Sequence, residues 1–561
     1  MSFGARLLAT TLALGACAAP IVAHGQPAPA PSRQELDRAQ RAPARPGPAP
    51  DLFSSPEAGP CPLAENPAPL TVTAVRLNGL ESVPAEALAP AYAPYLNRAA
   101  GDAADLCLIR DAVSDALFDR GVLARVEIPA QTIGTDGVAV IEVIEARIVN
   151  VTVRGDAGPA APMLERYAAK LRGMTPFDIN QVQRYVLLAS DLPGLRVQAA
   201  VRPSPGGERG AVDLDLNVQR DPQDVIVNVQ NLQAKATGRW GVLAQADFHT
   251  HTAFGEKTSL VAYRTIQNEQ WVLQLVEEAR FGGEGLTGRA SIAYGKGRPG
   301  DVLKPLQLRS ESLVVNAELA YPIVRKRREN LWIAGGLELI DQETRISGAG
   351  TLIDDEIRVA WAEVRADRTH YLQGRPIVGQ AALGLRLGIE GLGGRGDGDP
   401  LLSRFEADPG ALVAYGHAEV YAGLSPRLVF VGRLEGQYSK KPLVAYEEYT
   451  AGALTIGRGY DPAFTSGDSA LAGSLELRAG PFQPRAGLLV LPFAFVDAAR
   501  TWDRDIGGLA QTLTSAGVGV QVPVGPRGVA DITWAYPLDR REGDRARPSP
   551  RLTLNLTTRF F

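Results

Sequence analysis

From about residue 224 to the C-terminus, apolar and polar positions alternate with a period of two. The pattern falls into roughly sixteen segments of about ten residues, separated by turn-forming residues. In residues 377–390, Ile377, Gly379, Ala381, Leu383, Leu385, Leu387 and Ile389 share one face, while Gln380, Arg386 and Glu390 lie on the other. Likewise Leu471, Leu475 and Leu477 oppose Ser474, Glu476 and Arg478, and Leu428, Phe430, Leu434 and Tyr438 oppose Arg433, Glu435 and Gln437. A charge turned to mid-bilayer costs about 2–4 kcal/mol, so the charged faces are expected to line a lumen. Only helices and closed barrels pair all their backbone groups in hydrocarbon. Past the leader no apolar run is long enough for a spanning helix. The pattern therefore predicts a transmembrane antiparallel β-barrel of about 16 strands over residues 221–561, ending on Phe560 and Phe561. A soluble all-β sandwich or solenoid shares the same period and is the competing reading.

Ahead of the barrel the periodicity mixes helix and strand. Residues 70–77 alternate as a strand, and residues 106–120 place Ile109, Ala112, Val113, Ala116 and Leu117 on one helical stripe before a stop at Gly121. Strands are expected over 122–128 and 138–143. A second unit begins near residue 148, with Asp178 as the N-cap of a helix burying Ile179, Val182 and Val186. Asp191-Leu192-Pro193-Gly194 ends that helix, and strands follow over 196–202 and 211–218. The two units, 67–147 and 148–220, read as tandem copies of one α+β fold.

Residues 26–66 are rich in Pro and Ala and cannot build a core. Within them Ser32 and Glu35 have capping-box spacing and open a short polar helix to about Arg41. A stiff linker with Pro43, Pro46, Pro48 and Pro50 comes next. With little apolar face, such a helix suits a polar cavity or water.

Residues 1–25 have a signal-peptide pattern: Arg6, an apolar run, then small residues ending at Ala23-His24-Gly25. Leu14-Gly15-Ala16-Cys17 also has lipobox character, so lipidation at Cys17 competes with cleavage after Gly25. If Cys17 leaves with the leader, Cys61 and Cys107 remain as an even pair in an exported protein, where a disulfide is expected. Two separate thiols are the alternative. With 58 Lys and Arg against 62 Asp and Glu, the chain lacks the basic excess of a nucleic-acid binder. A mean hydropathy of -0.06 is too polar for a helical membrane protein but suits a barrel with a wet lumen.

Several stretches resemble a known family. The two small units resemble POTRA domains, the periplasmic modules that precede barrels of the outer-membrane assembly and secretion superfamily. Ile128-Pro129-Ala130-Gln131 with Gly137, the Cys61/Cys107 pair, the Asp191–Gly194 stretch with Pro203 and Gly206, and Tyr321-Pro322-Ile323-Val324-Arg325 with Asn330-Leu331 are similar to two-partner secretion transporters, the TpsB family. The strongest likeness is Tyr446-Glu447-Glu448-Tyr449, Gly457-Arg458-Gly459-Tyr460 and Ser466-Gly467-Asp468. In the family this is a long loop, here 440–470, that folds back into the barrel. Its partner strand motif is matched by Phe495-Val496-Asp497-Ala498-Ala499. The family carries Val where Gly457 stands, implying a more mobile tip, and Gly where Ala499 stands.

On the residues alone, Arg458 on a Gly-flanked loop needs a carboxylate if it enters a lumen, and Asp497 in an apolar strand needs a cation. A solvated Arg458, with Asp497 paired to Arg500 or Arg478, is the plainer alternative. The resemblance favours an Arg458–Asp497 pair that anchors the loop without doing chemistry.

The resemblance implies an outer-membrane transporter with periplasmic POTRA domains and a monomeric barrel amid lipid and lipopolysaccharide. It would secrete a large β-helical, TpsA-like exoprotein, with the N-terminal helix as a plug. An assembly factor that inserts new barrels and a solute porin are the alternatives. No hydrolase elbow, metalloprotease motif or phosphate loop is present, so neither an enzyme nor a cofactor is expected. His249 and His251 alternate on one strand face, but two ligands near a turn make a weak metal site, and none is assigned.

Overall fold

The computed structural model describes residues 30–39, 60–65, 68–504, 510–540 and 546–560. The leader with its cleavage site and Cys17, the linker of residues 42–50, Arg41 and Phe561 lie outside the described residues.

Each small unit is a three-stranded sheet covered by two helices. In the first, Ala74–Asn78 runs parallel to the central strand Val138–Glu145, and Ala124–Glu127 pairs antiparallel on its other side. In the second, Arg147–Gly155 is parallel to the central Ala211–Arg220, and Leu195–Pro203 is antiparallel. The order and direction are the same, which makes the units copies of one topology.

The helix Asp105–Asp119 buries Ile109, Val113, Ala116 and Leu117 against Ile141 and Val143 of the first sheet. Gly121, at φ +85°, turns the chain after it. Asp178 caps Ile179–Ser190 by accepting from the amides of Asn180 at 2.8 Å and Gln181 at 3.3 Å. Two helices carry no clear signal in the sequence. Ala85–Tyr92 holds an internal Pro90, and Ala161–Leu171 has Pro at its start.

The barrel ladder runs from Gln223–Gln230 to Arg551–Phe560, and these two strands pair to close it. Ser469–Ala479 and Phe482–Arg485 both pair with Leu488–Trp502 across a break at Gly480, so they count as one strand and the barrel has sixteen. Leu383, Leu385 and Leu387 are exposed on the outer wall, whereas Arg386 is buried inside. Leu471, Leu475 and Leu477 point out while Ser474 and Glu476 point in.

The strands are less uniform than the expected ten residues. Leu308–Arg325, Glu329–Ile346 and Gly350–Leu372 have 18, 18 and 23 residues. At about 3.4 Å per residue they overreach a hydrocarbon band of about 25 Å even when tilted. Their outer ends carry ion pairs such as Arg358–Asp341 at 2.7 Å, which belong in water or among headgroups. The second small unit packs against the hairpins at one end of this wall, and the N-terminal segment lies inside the barrel.

Candidate functional site

The loop between Leu428–Ser439 and Ser469–Ala479 turns into the lumen, stiffened by a short hairpin of Tyr449–Ala451 with Thr465–Gly467. Its tip is tightly packed. Gly457 is buried at φ +126°, and a Cβ there would lie 2.8 Å from Leu513 and 3.3 Å from the Gly452 backbone. A Val would therefore be both strained and crowded here, so Gly457 serves close packing. Ala499, 2 % exposed, fills the space between strand and loop beside Ile456 and Tyr460.

Arg458 projects from this tip to the barrel wall. Its backbone amide donates to Asp497 Oδ2 at 2.9 Å, Nε to the same oxygen at 3.0 Å, and Nη2 to Oδ1 at 2.8 Å. Asp497 is 1 % exposed, so its charge requires this pairing. The guanidinium also donates to Glu476 and to Ser474 Oγ at 2.9 Å, and its centre lies 3.5 Å over the Phe495 ring. Strand register makes the cluster: Ser474 is the partner of Asp497, and Glu476 of Phe495. The plainer partners are engaged elsewhere. Arg478 donates to Glu476 at 2.5 Å, and Arg500 lies over Trp502.

The next tip residues fix the loop to the last strands. Gly459 N donates to Ser515 Oγ at 3.2 Å, and Tyr460 OH donates to the Thr514 carbonyl at 2.8 Å. Arg551 donates to the Tyr460 carbonyl and pairs with Asp461 at 2.7 Å.

The base of the loop is held separately. Asp468, wholly buried, accepts from Arg404 at 2.6 Å and from the amides of Leu443 and Arg504, both at 2.6 Å. Glu448 also takes Arg404 at 2.6 Å. Arg404 sits in the connection after Arg375–Gly388, whose Leu402 and Ala407 are buried in the lumen. The sequence signals Glu448 and Asp468 as motif residues, but nothing local marks Arg404 as their partner.

The N-terminal segment occupies the lumen beside this loop. Ser32 N donates to Glu35 at 3.0 Å, the reciprocal half of a capping box. The helix is one turn, Arg33–Leu36, and stops short of the expected Arg41. Beyond it the amides of Arg38 and Ala39 donate to Gln274 of the barrel wall, at 3.2 and 3.1 Å, instead of continuing the helix. The segment is also less purely polar than expected. Leu36 is 1 % exposed among Tyr263, Val272 and Ala293, a burial worth about 1.5–3 kcal/mol. Arg38 lies 3.3 Å over the Tyr263 ring.

Arg33 pairs with Glu447 at 2.7 Å, and Glu447 is shared with Arg386, which donates to it at 2.8 and 2.9 Å and to Glu338 at 2.5 Å. Two arginines and two carboxylates thus join helix, loop and wall. Beside them a lumenal cavity of about 890 Å³ is lined by charged side chains including Asp37, Glu318 and Arg365.

Two motifs noted in the sequence meet at the end of the barrel that faces the small units. Arg325 donates to both Asp191 oxygens at 2.7 Å, a bidentate pair, and to Asn330 at 2.9 Å. Tyr185 and Lys170 contact Glu284 of a barrel hairpin, at 3.2 and 2.7 Å. His249 Nδ1 lies 3.1 Å from the Asp221 carbonyl in the same joint. His251 is not on its strand face, because Gly241–His249 ends there and Thr250 turns at φ +52°. Cys61 and Cys107 are joined in a disulfide, Cα to Cα 5.7 Å, tying the segment before the first unit to its long helix.

Residues 210–522 match the family described as haemolysin secretion/activation protein ShlB/FhaC/HecB, and residues 70–146 match the POTRA domain of ShlB type. Among solved structures, CdiB from Escherichia coli is similar at 17 % identity and a TM-score of 0.71, covering 94 % of this chain and 96 % of that one. CdiB from Acinetobacter baumannii is 13 % identical with a TM-score of 0.64, covering 91 % and 94 %. BamA from Haemophilus ducreyi lacking POTRA domains 1-3 is 13 % identical with a TM-score of 0.52, over 88 % of this chain and 100 % of that one. At these identities the likeness is one of fold. No curated protein matches the sequence.

Proposed function

The chain belongs to the ShlB/FhaC/HecB haemolysin secretion/activation family, the outer-membrane transporters of two-partner secretion, and from that premise we propose that it exports one large β-helical exoprotein from periplasm to cell surface. In this reading residues 67–147 and 148–220 capture a TpsA-like partner, residues 26–66 are plug and tether, and residues 221–561 are a monomeric conduit. The Ala124–Glu127 and Leu195–Pro203 edges each pair on one side among the described residues, which suits capture of an extended segment by strand addition. The lumen is polar, as passage of an unfolded chain requires. Folding outside then prevents return, so no ATP or catalysis is needed.

The observation that carries the reading is the manner of closure. The N-terminal segment sits in the lumen on ion pairs and hydrogen bonds to Glu447, Gln274 and Gln342, contacts that water or a passing chain can replace. Comparative proteomics of a deletion strain tests it, using culture supernatant and outer membrane together. Loss of one large exported protein, with other barrels at normal levels, is expected. A fall across many outer-membrane barrels would instead mean an assembly factor.

A further inference from the structure

On the outer wall, strand register stacks three rows of outward-facing residues over Gly241–His249, Lys257–Thr265, Gln270–Phe281 and Leu286–Gly297. The row nearest the extracellular end is Val242, Arg264, Trp271 and Lys296. Below it lie Ala244, Ala262, Leu273 and Tyr294, and below those Ala246, Leu260, Leu275 and Ile292. The alanines sit side by side, flanked by the exposed Leu260, Leu273 and Leu275. They leave a groove of about 490 Å³ whose lining is almost wholly apolar.

The groove's upper end is polar and aromatic. Trp271 and Tyr294 pack edge to face at 5.5 Å, an interfacial pair of the kind that marks headgroup level. Tyr294 OH donates to Glu311 at 2.7 Å, and Lys296 pairs with the same carboxylate at 2.8 Å. Arg264 directly caps the Ala262 position, two residues on along the same strand. It is exposed on the outer wall, and its side chain has no ion pair or hydrogen bond among the described residues. The turn above it, residues 266–269, is at the end opposite Glu284, the hairpin residue that touches the second small unit. Arg264 therefore lies at the level of the outer leaflet.

We propose that this groove is a site for a phosphorylated glycolipid of the outer leaflet, that is, lipopolysaccharide. An acyl chain lies over Ala244 and Ala262, and a phosphate accepts from Arg264. Charge complementarity and leaflet choose the occupant. In the row above the groove, Lys296 is paired with Glu311 while Arg264 has no ion-pair partner among the described residues, so an uncompensated cation tops an apolar slot at the end of the barrel where the outer membrane carries acylated sugar phosphates. The site rests on the outer-membrane location of the barrel and not on the identity of the exported partner.

Native mass spectrometry of the full-length protein, purified from outer membranes in mild detergent, tests the site. Wild type is expected to retain lipopolysaccharide, Ala262→Phe to lose it by filling the slot, and Arg264→Gln to retain about tenfold less through loss of a charge-assisted contact. Leu475→Phe, on the outer wall of Ser469–Ala479, is expected to retain as much as wild type. Barrel assembly of each variant is checked by its heat-dependent gel mobility. If Ala262→Phe fails to assemble, Arg264→Gln against Leu475→Phe decides. A wild type without bound glycolipid, one that retains phospholipid instead, or retention unchanged by Arg264→Gln would overturn the proposal.

Discussion

Arg33 and Glu447 are 414 residues apart in the chain and 2.7 Å apart in the lumen. The bond joins the N-terminal helix to the inward loop. Because Arg386 and Glu338 complete the cluster, withdrawal of the helix leaves two buried carboxylates with one arginine. The helix thus neutralises a charge that the loop and wall leave uncompensated, and the closed state is stabilised electrostatically as well as by Leu36.

Removing that charge should loosen the closure. Arg33→Ala is expected to raise the open-channel conductance of the purified barrel in a planar bilayer, and deletion of residues 26–50 to raise it further. Leu36→Ser should act in the same direction by removing the apolar anchor. Unchanged conductance in the deletion would remove the plug from the account.

At the loop tip, Arg458→Ala strands the buried Asp497, while Glu476 keeps Arg478, whereas Asp497→Ala leaves Arg458 with Glu476 and Ser474. Breaking one side of a buried pair costs about 3–5 kcal/mol. Arg458→Ala should therefore reduce secretion and thermal stability more than Asp497→Ala, and the double variant should be no worse than Arg458→Ala. Additive losses in this cycle would show that the two residues act independently.

The periplasmic joint includes one bidentate contact, Arg325 with Asp191, beside those of Tyr185 and Lys170 to Glu284. Asp191→Asn should speed hydrogen exchange in residues 282–285 and 322–325, which contact the second unit, while the lumenal strand segments keep their protection. Arg325→Ala should reproduce the pattern. Exchange confined to the site of substitution would mean the units are held by their other contacts.

The disulfide closes a sequence separation of 46 residues, for which the chain-entropy estimate is about 4 kcal/mol. Cys107→Ser should make residues 60–146 sensitive to limited proteolysis under conditions where the barrel stays resistant. Equal resistance with and without the bridge would show that the core around Ile109 and Ile141 suffices.

Alternation in residues 377–387 was legible because facing is set by the period of the strand itself, and lipid enforces it residue by residue. The capping box at Ser32 was equally local. The short extent of its helix was not, since Gln274 of the barrel wall takes the amides that would have continued it. Likewise Arg404 carries no mark in its own segment, yet it holds both Glu448 and Asp468. The extra length of the three long strands is not legible in the alternation, because the period of two continues past the membrane boundary and carries no mark of it.

The sequence by itself determined the wall of this protein: which residues face lipid, which face the lumen, and that two small α+β units precede the barrel. Those follow from spacing along the chain. Spacing along the chain does not say what enters the lumen; the family resemblance points to the N-terminal helix and to Arg458 with Asp497, and only the tertiary structure decided how Arg33 and Arg404 hold helix and loop. Those contacts depend on loop closure over tens to hundreds of residues and on the register between strands. A buried charge must find a partner, but its own neighbours in sequence do not say which one.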